Sequence, residues 1–174
     1  MKEKFPSSGW LLIDKPEGIE SFGVIRKLKF LYSFNKIGFA GTLDPLASGL
    51  LLIGINKATK KIPDFSAHKL NGKNFYELAR KNEKIEDRYK KVSVQSLKVL
   101  LSNTSKMNVE LHCHSGFYVR AFAEEFANSL GDIAYASMIK RLKIGTFTLD
   151  QAIPYEKILD FSSINDLHSN LITI

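Results

Sequence analysis

Cysteine is almost absent from this chain: Cys113 stands alone in 174 residues. That excludes a disulfide framework and a cysteine-based zinc site. No apolar run approaches the roughly 18–20 residues of a membrane span, and the amino terminus, MKEKFPSSGW, carries no hydrophobic signal segment. A cytoplasmic setting without membrane contact is the expectation. There is no phosphate-binding glycine loop, no dinucleotide fingerprint and no nucleophile-elbow serine, so nucleotide-driven and serine-hydrolase chemistries have no local support. Acidic residues are also scarce, at 18 against 25 Lys and Arg, giving a formal charge of +7 and a pI near 9.4. Such a balance favours a polyanionic partner, nucleic acid before membrane.

What is present suits a globular chain: 44% apolar and 25% charged residues are ordinary for a domain with a real core. The length and the mixed pattern predict one α/β domain over residues 1–174. Trp10–Asp14 reads as a buried strand closed by the turn Lys15-Pro16-Glu17-Gly18. Ser21 is placed to cap a helix whose stripe is Phe22, Val24, Ile25, Leu28 and Leu31. Leu50–Ile55 reads as a strand buried on both faces, and Asn56–Lys61 as a basic helix that Pro63 cuts short. Phe75–Lys81 is helical in composition. Val92–Leu101 and Met107–His114 read as an antiparallel pair. Tyr118–Leu130 reads as a helix closed by Gly131. A strand region with a bend at Gly145 and a short helix from Pro154 follow, and residues 160–174 form a weakly patterned tail.

The stretch KIGFAGTLDPLASGLLL, residues 36–52, concentrates the chemistry. Gly38 and Gly41 flank a bend, and one carboxylate, Asp44, precedes Pro45 and an apolar run. Local physics reads Asp44-Pro45 as a helix N-cap with proline at the first helical position. That reading leaves the carboxylate at an exposed loop tip. Tyr118 and Arg120 open a later helix, where a phenol and a planar guanidinium could hold a base and a carboxylate. His112 and His114 share a strand face, but three ligands are needed for a catalytic zinc, and no metal site is expected. Basic clusters at Arg26-Lys27-Lys29, Lys57-Lys60-Lys61, Lys69-Lys73, Arg88-Lys90-Lys91 and Lys140-Arg141-Lys143 suit a phosphate backbone tracked across a face.

Taken in order, GWLLIDKPEG, KIGFAGTLDPLASGLLLIGINKATK, FSAHKLNGKNFYELAR, HCHSGFYVRAFAEEFANSLG and IKRLKIGTFTL resemble the TruB family of tRNA pseudouridine synthases across most of residues 9–150. The resemblance implies the pseudouridine synthase fold, a mixed, mainly antiparallel sheet flanked by helices (α/β, α+β type). It implies isomerisation of the T-loop uridine, position 55 by tRNA convention, without cofactor or metal, by a monomer whose partner is the tRNA T-arm. Asp44 falls on the family's catalytic aspartate. Tyr118 and Arg120 fall on its active-site tyrosine and arginine, Leu142 on a leucine of the uracil pocket, and Lys15 with Pro16 on a lysine-proline pair near the site. Phe39, Gly41, Thr42 and Lys69 complete the expected substrate-binding set.

Three departures accompany the resemblance. Phe39 stands where the family often has histidine. Lys61 runs directly into Ile62-Pro63, where family members carry a strand with a tyrosine that stacks on the flipped uracil, then a long RNA-binding insert. This predicts an internal deletion at the 61/62 junction. None of Tyr32, Tyr76, Tyr89, Tyr118, Tyr135 and Tyr155 belongs to that strand. No appended RNA-binding domain of the PUA type is visible. The alternative expectation is therefore a tRNA-binding homologue with impaired turnover, or a non-functional remnant.

Overall fold

The computed structural model describes residues 4–65 and 93–173. The expected Phe75–Lys81 helix, Lys69 and the clusters around Lys73 and Arg88 lie outside them. The chain divides into two compact units, residues 1–66 with 119–174, and residues 67–118.

The first unit is built on β1 (Gly9–Lys15) and β3 (Ala47–Ile55), paired antiparallel from Gly9↔Ile55 to Lys15↔Gly49. Because side chains alternate along a strand, an uninterrupted apolar run must feed two cores, and it does. Leu11, Ile13, Leu51, Ile53 and Ile55 face α1 (Ser21–Leu31), meeting its Val24, Ile25 and Leu28. Trp10, Leu12, Leu50 and Leu52 face the other way, against Ala58, Ile62 and Phe65 of the 3₁₀ segment Asn56–Phe65. That segment continues through Pro63, which forfeits only its own N–H, so the expected stop does not occur. Phe22, assigned to the buried stripe of α1, is 55% exposed, with the Arg26 guanidinium over its ring at 5.9 Å.

The sheet order is β10-β1-β3-β2, with β2 (Ile37–Ala40) antiparallel to β3 and β10 (Ile172–Thr173) antiparallel to β1. Two short strands join in parallel: β6 (Ile139–Arg141) on β3 and β9 (Ile153–Pro154) on β1. The sheet is thus mixed and mainly antiparallel, as expected. Between β6 and β9 lies the small hairpin β7 (Lys143–Ile144) and β8 (Phe147–Thr148). The weakly patterned tail turns out to carry core residues. After α3 (Tyr155–Leu159), the helix α4 (Ile164–Ser169) buries Leu167 completely, and Tyr32 donates to Ser163 O at 2.9 Å. The N-terminus of α4 is a capping box: Asp166 accepts from the Ser163 and Ser162 N–H groups at 2.7 and 2.9 Å.

Asn56 closes β3 in the left-handed region (φ 53) that asparagine tolerates better than most residues. Its amide accepts from Asn35 N and Lys36 N and donates to Phe5 O and Ser7 O, so four backbone groups meet on one buried side chain. The chain α2 (Val119–Ser129) also belongs to this unit. It ends as expected at Gly131, with Asp132 N bonded back to Ala127 O at 3.0 Å. Among its residues only Ala127 is buried.

The second unit, where described, is the antiparallel hairpin β4 (Val94–Ser102) and β5 (Met107–Cys113), pairing from Val94↔Cys113 to Ser102↔Met107 with register shifts between Val94 and Ser96 and between Val99 and Leu101. Asn103 builds its turn, accepting from Ser105 N and Lys106 N.

Arg141 anchors β6 to the first unit. Its Nε donates to Leu50 O at 2.8 Å and its Nη2 to Gly41 O at 2.9 Å. Burial pushes its guanidinium down to about 10, so it remains cationic at neutral pH. Arg141→Met is expected to cost about 2–4 kcal/mol, from two charge-assisted bonds lost and two acceptors stranded. A lower urea midpoint with an unchanged m value checks it. A second expectation concerns Asp166, whose carboxyl the Ser163 and Ser162 bonds hold below its ordinary range. A lowered folded pKa means stability present above the unfolded value and lost as pH falls through the folded one. Wild-type Tm is therefore expected to drop below about pH 4. Asp166→Asn should lower Tm at pH 7 and flatten that acid limb.

Candidate active site

The loop from Gly41 to Leu46 connects β2 to β3. Gly41 (φ +64) turns the chain out of β2, and its carbonyl is the one Arg141 holds. Gly38, expected to share in the bend, is instead a strand residue opposite Gly54. Leu43 is buried at 6% exposure and anchors the loop to the α1 core, whereas Thr42 and Pro45 face solvent. Asp44 does not cap a helix. Its carbonyl accepts from Ala47 N at 3.0 Å, closing a β-turn with Pro45 at the second position, and the chain enters β3 directly. Proline's fixed φ suits that turn position as well as it suits a helix start, which is why the dipeptide alone did not distinguish them. Gly49 (φ +97) then lies so close to Arg141 that a Cβ there would collide with the arginine backbone. Only glycine lets β6 pair at this point.

Three buried or half-buried side chains grip this turn. Ser21 Oγ donates to Leu43 O at 3.0 Å and accepts from Leu43 N at 2.9 Å. Lys15, fully buried, donates to Pro16 O at 2.8 Å and Ile19 O at 2.7 Å and reaches Pro45 O at 3.5 Å. Gly18 N donates to the same Pro45 carbonyl at 2.8 Å. Burial pushes the Lys15 ammonium down, the Glu17 carboxylate pulls it up, Arg141 pushes it down and Asp44 pulls it up. Arg141 completes the set. Ser21 was expected to cap α1; the helix start has no side-chain cap bond, and the hydroxyl serves the loop instead.

Asp44 itself is 43% exposed, and its Oδ2 takes Arg120 Nε at 2.9 Å, the arginine being 63% exposed. The structure therefore brings together Asp44 and Arg120, which lie 76 positions apart, on the platform made by Gly41, Ser21, Lys15 and Arg141. Of the other expected residues, Thr42 lies exposed in the loop itself. Phe39 packs against the α1 core opposite Ile53, a packing role rather than an exposed one. Leu142 follows β6 and is 49% exposed. Tyr118 closes the second unit as an exposed side chain, and Lys69 lies outside the described residues. Residue-by-residue reading missed Ser21 and Arg141 as loop anchors, and also Leu46, which sits 76% exposed two positions after Asp44. The alternation of IKR was a usable signal, since it puts Arg141 on the same face as Ile139, not on the solvent side with Lys140. Arg141 is thus removed from the basic cluster assigned to it. Among the described residues no group of three or more His, Cys, Asp and Glu could hold a metal ion. His114 is instead bonded to Ser93 and Gln95.

Comparison with known proteins gives this geometry a context. The sequence model of the TruB family pseudouridylate synthase (N terminal domain) matches residues 29–64 and 60–119, just over half of the chain in two pieces that meet at residues 60–64. The tRNA pseudouridine synthase B of Brucella anthropi is 28% identical over 210 aligned positions, covering 87% of this chain and 65% of the relative. That of Rhizobium etli is 29% identical over 224 positions, covering 95% and 72%. The chain thus spans about two thirds of the length of these curated relatives. The alignments run over more positions than the 174 residues of the chain, so the relatives carry residues inside the matched region that this chain lacks. Two solved structures share the fold: an archaeal box H/ACA sRNP Nop10-Cbf5 complex, at TM-score 0.70 and 21% identity over 87% of this chain and 53% of that one, and an H/ACA RNP bound to a substrate RNA containing 2'-deoxyuridine, at 0.71 and 24% over 87% and 52%. The chain belongs to the TruB family of pseudouridylate synthases.

Proposed function

We propose that this protein is a tRNA pseudouridine synthase that isomerises the T-loop uridine, with Asp44 as the nucleophile. The observation that carries the reading is the 2.9 Å pair between Asp44 and Arg120 on a fixed, solvent-facing turn, in a chain whose relatives are named tRNA pseudouridine synthase B.

The glycosidic bond of a stacked uridine is out of reach, so the target nucleotide must first leave the T-loop stack. The Asp44 carboxylate then attacks, either at C1′ with departure of the uracil or through elimination of the base followed by addition. In both cases the C1′–N1 bond breaks, the detached uracil turns over, and its C5 bonds to C1′. The proton on C5 leaves and N1 gains one, so nothing is oxidised and no atoms are added. Arg120, bonded to Oδ2 through Nε, keeps a positive charge beside the carboxylate. Leu142 and Leu46, 49% and 76% exposed in the free protein, are apolar surfaces that a flipped base would cover. Phosphates of the same RNA find cations at the other end of the β2–β3 hairpin. There a concavity of about 280 Å³ is lined by Lys36, Lys57 and Lys60 with Asn35, Asn56 and Thr59.

A second reading is a homologue that binds tRNA without isomerising it. It is favoured by the family match breaking into two pieces around residues 60–64, where the resemblance predicts a tyrosine-bearing strand. The two readings separate in one assay. The synthase reading expects pseudouridine in a T-arm hairpin incubated with the protein. Asp44→Asn should lower the single-turnover rate by on the order of 10³-fold or more. Arg120→Lys should lower it about 10²-fold, because an ammonium cannot reproduce the planar hold on one carboxylate oxygen. RNA binding that weakens steeply with salt, with no product and no difference between wild type and Asp44→Asn, would sink it in favour of the second.

A further inference from the structure

Ser21 is a buried polar side chain at the site to which the chemistry above gives no part. We propose that it is the positioning residue of the nucleophile, an inference that rests on reading Asp44 as that nucleophile. Its hydroxyl donates to the Leu43 carbonyl and accepts from the Leu43 N–H, at 3.0 and 2.9 Å, with Ser21 itself only 2% exposed. One oxygen thus holds the two peptide planes that flank Leu43, and the second of these leads into the Asp44 Cα. The other anchors act further away. Arg141 holds the carbonyl of Gly41, and Lys15 with Gly18 holds that of Pro45.

Asp44 needs such a hold on the near side. Its side chain is 43% exposed and its side-chain partner is an arginine that is 63% exposed. An ion pair so open to water is weak and easily reoriented. The direction of the carboxylate is therefore inherited from the backbone, where a site must be kept within about 0.5 Å of its productive geometry. A hydroxyl is a compact side-chain group that donates and accepts through a single atom. Alanine at position 21 would leave a buried N–H and a buried C=O without partners, free to turn.

The test compares Ser21→Ala, Ser21→Thr and Asp166→Asn. The last removes the cap of α4, far along the chain from the loop, and serves as the control for lost stability. Each is measured for Tm, for affinity and single-turnover isomerisation of a T-arm hairpin, and for hydrogen exchange of the Leu43 amide. Ser21→Ala is expected to slow the chemical step about 10²-fold with RNA affinity within about twofold of wild type, since uniform binding is not what it removes. Its Leu43 amide should exchange faster. Ser21→Thr, which keeps the hydroxyl, should recover most of both. Asp166→Asn should lower Tm and leave the rate unchanged. If Ser21→Ala does not fold, Ser21→Cys, a weaker donor and acceptor, takes its place in the same comparison. The inference is overturned if the position-21 variant slows the reaction no more than Asp166→Asn does at a comparable loss of Tm. Should the wild-type protein form no pseudouridine, the nucleophile reading fails separately, and the clamp is judged by exchange. Faster Leu43 exchange in Ser21→Ala that Ser21→Thr restores upholds it, and unchanged exchange overturns it.

Discussion

A carboxylate that must face water is carried here by backbone that does not. β3 is buried on both faces, yet the turn at its start has to hold Asp44 outside. The carbonyls of Gly41, Leu43 and Pro45 consequently lie at the rim of the core, where water cannot be relied on to satisfy them. Each is met by a side chain from elsewhere: Arg141, Ser21 and Lys15. Two of these are cations pushed towards their neutral forms by burial, a cost that hydrogen-bonded carbonyls only partly offset. An apolar residue at either position would strand the carbonyls it now serves. What the cations secure is a turn with little freedom, from three elements that are distant in sequence.

The two-sided burial of β3 also explains how much was legible beforehand. WLLID and LLLIGI announced strands covered on both faces, and Val24, Ile25 and Leu28 announced the helix that covers one of them, because period and composition are local properties. The mixed sheet came instead from the family resemblance, which also assigned Asp44 and Arg120 to one site, where the structure pairs them at 2.9 Å. Local rules failed where one residue type serves two structures equally well. Asp-Pro starts a helix or a β-turn, and a serine ahead of an apolar stripe caps a helix or holds a loop. Arg141 looked like part of a basic surface because charge clustering is counted along the chain, whereas its role depends on Gly49 allowing β6 to approach. The core contribution of α4 was hidden for another reason: six residues are too few to show a period.

The helix that delivers Arg120 follows its pattern in part. Val119, Phe122, Ala123 and Phe126 of its stripe are half-buried while Arg120, Glu124, Glu125 and Asn128 are exposed, but Leu130, just past its end, is 69% exposed and Ala127 is its one buried residue. Phe122 and Phe126 stack on each other at 5.8 Å, an i, i+4 contact that gains a few tenths of a kcal/mol in an isolated helix and far less than burial in a core. Amphipathicity shows that a helix can bury a face.

That weakness bears on the ion pair at the centre of the site. Arg120 and Asp44 are both more than two-fifths exposed, and such pairs are worth about 0–1 kcal/mol. The pair therefore does little to hold α2 in place. Of the two partners, only Asp44 is fixed from beneath, by Ser21, Lys15 and Arg141. The arrangement is asymmetric: a carboxylate on a rigid turn and an arginine joined to it by an exposed ion pair. On the proposed reading of Asp44 as the nucleophile, chemistry on a flipped base can use that asymmetry, because the carboxylate has to stay in place while its cation can shift as negative charge leaves it. A rigid Arg120 on a loose Asp44 would invert those roles, and the proposed nucleophile would lose the fixed geometry that its attack requires.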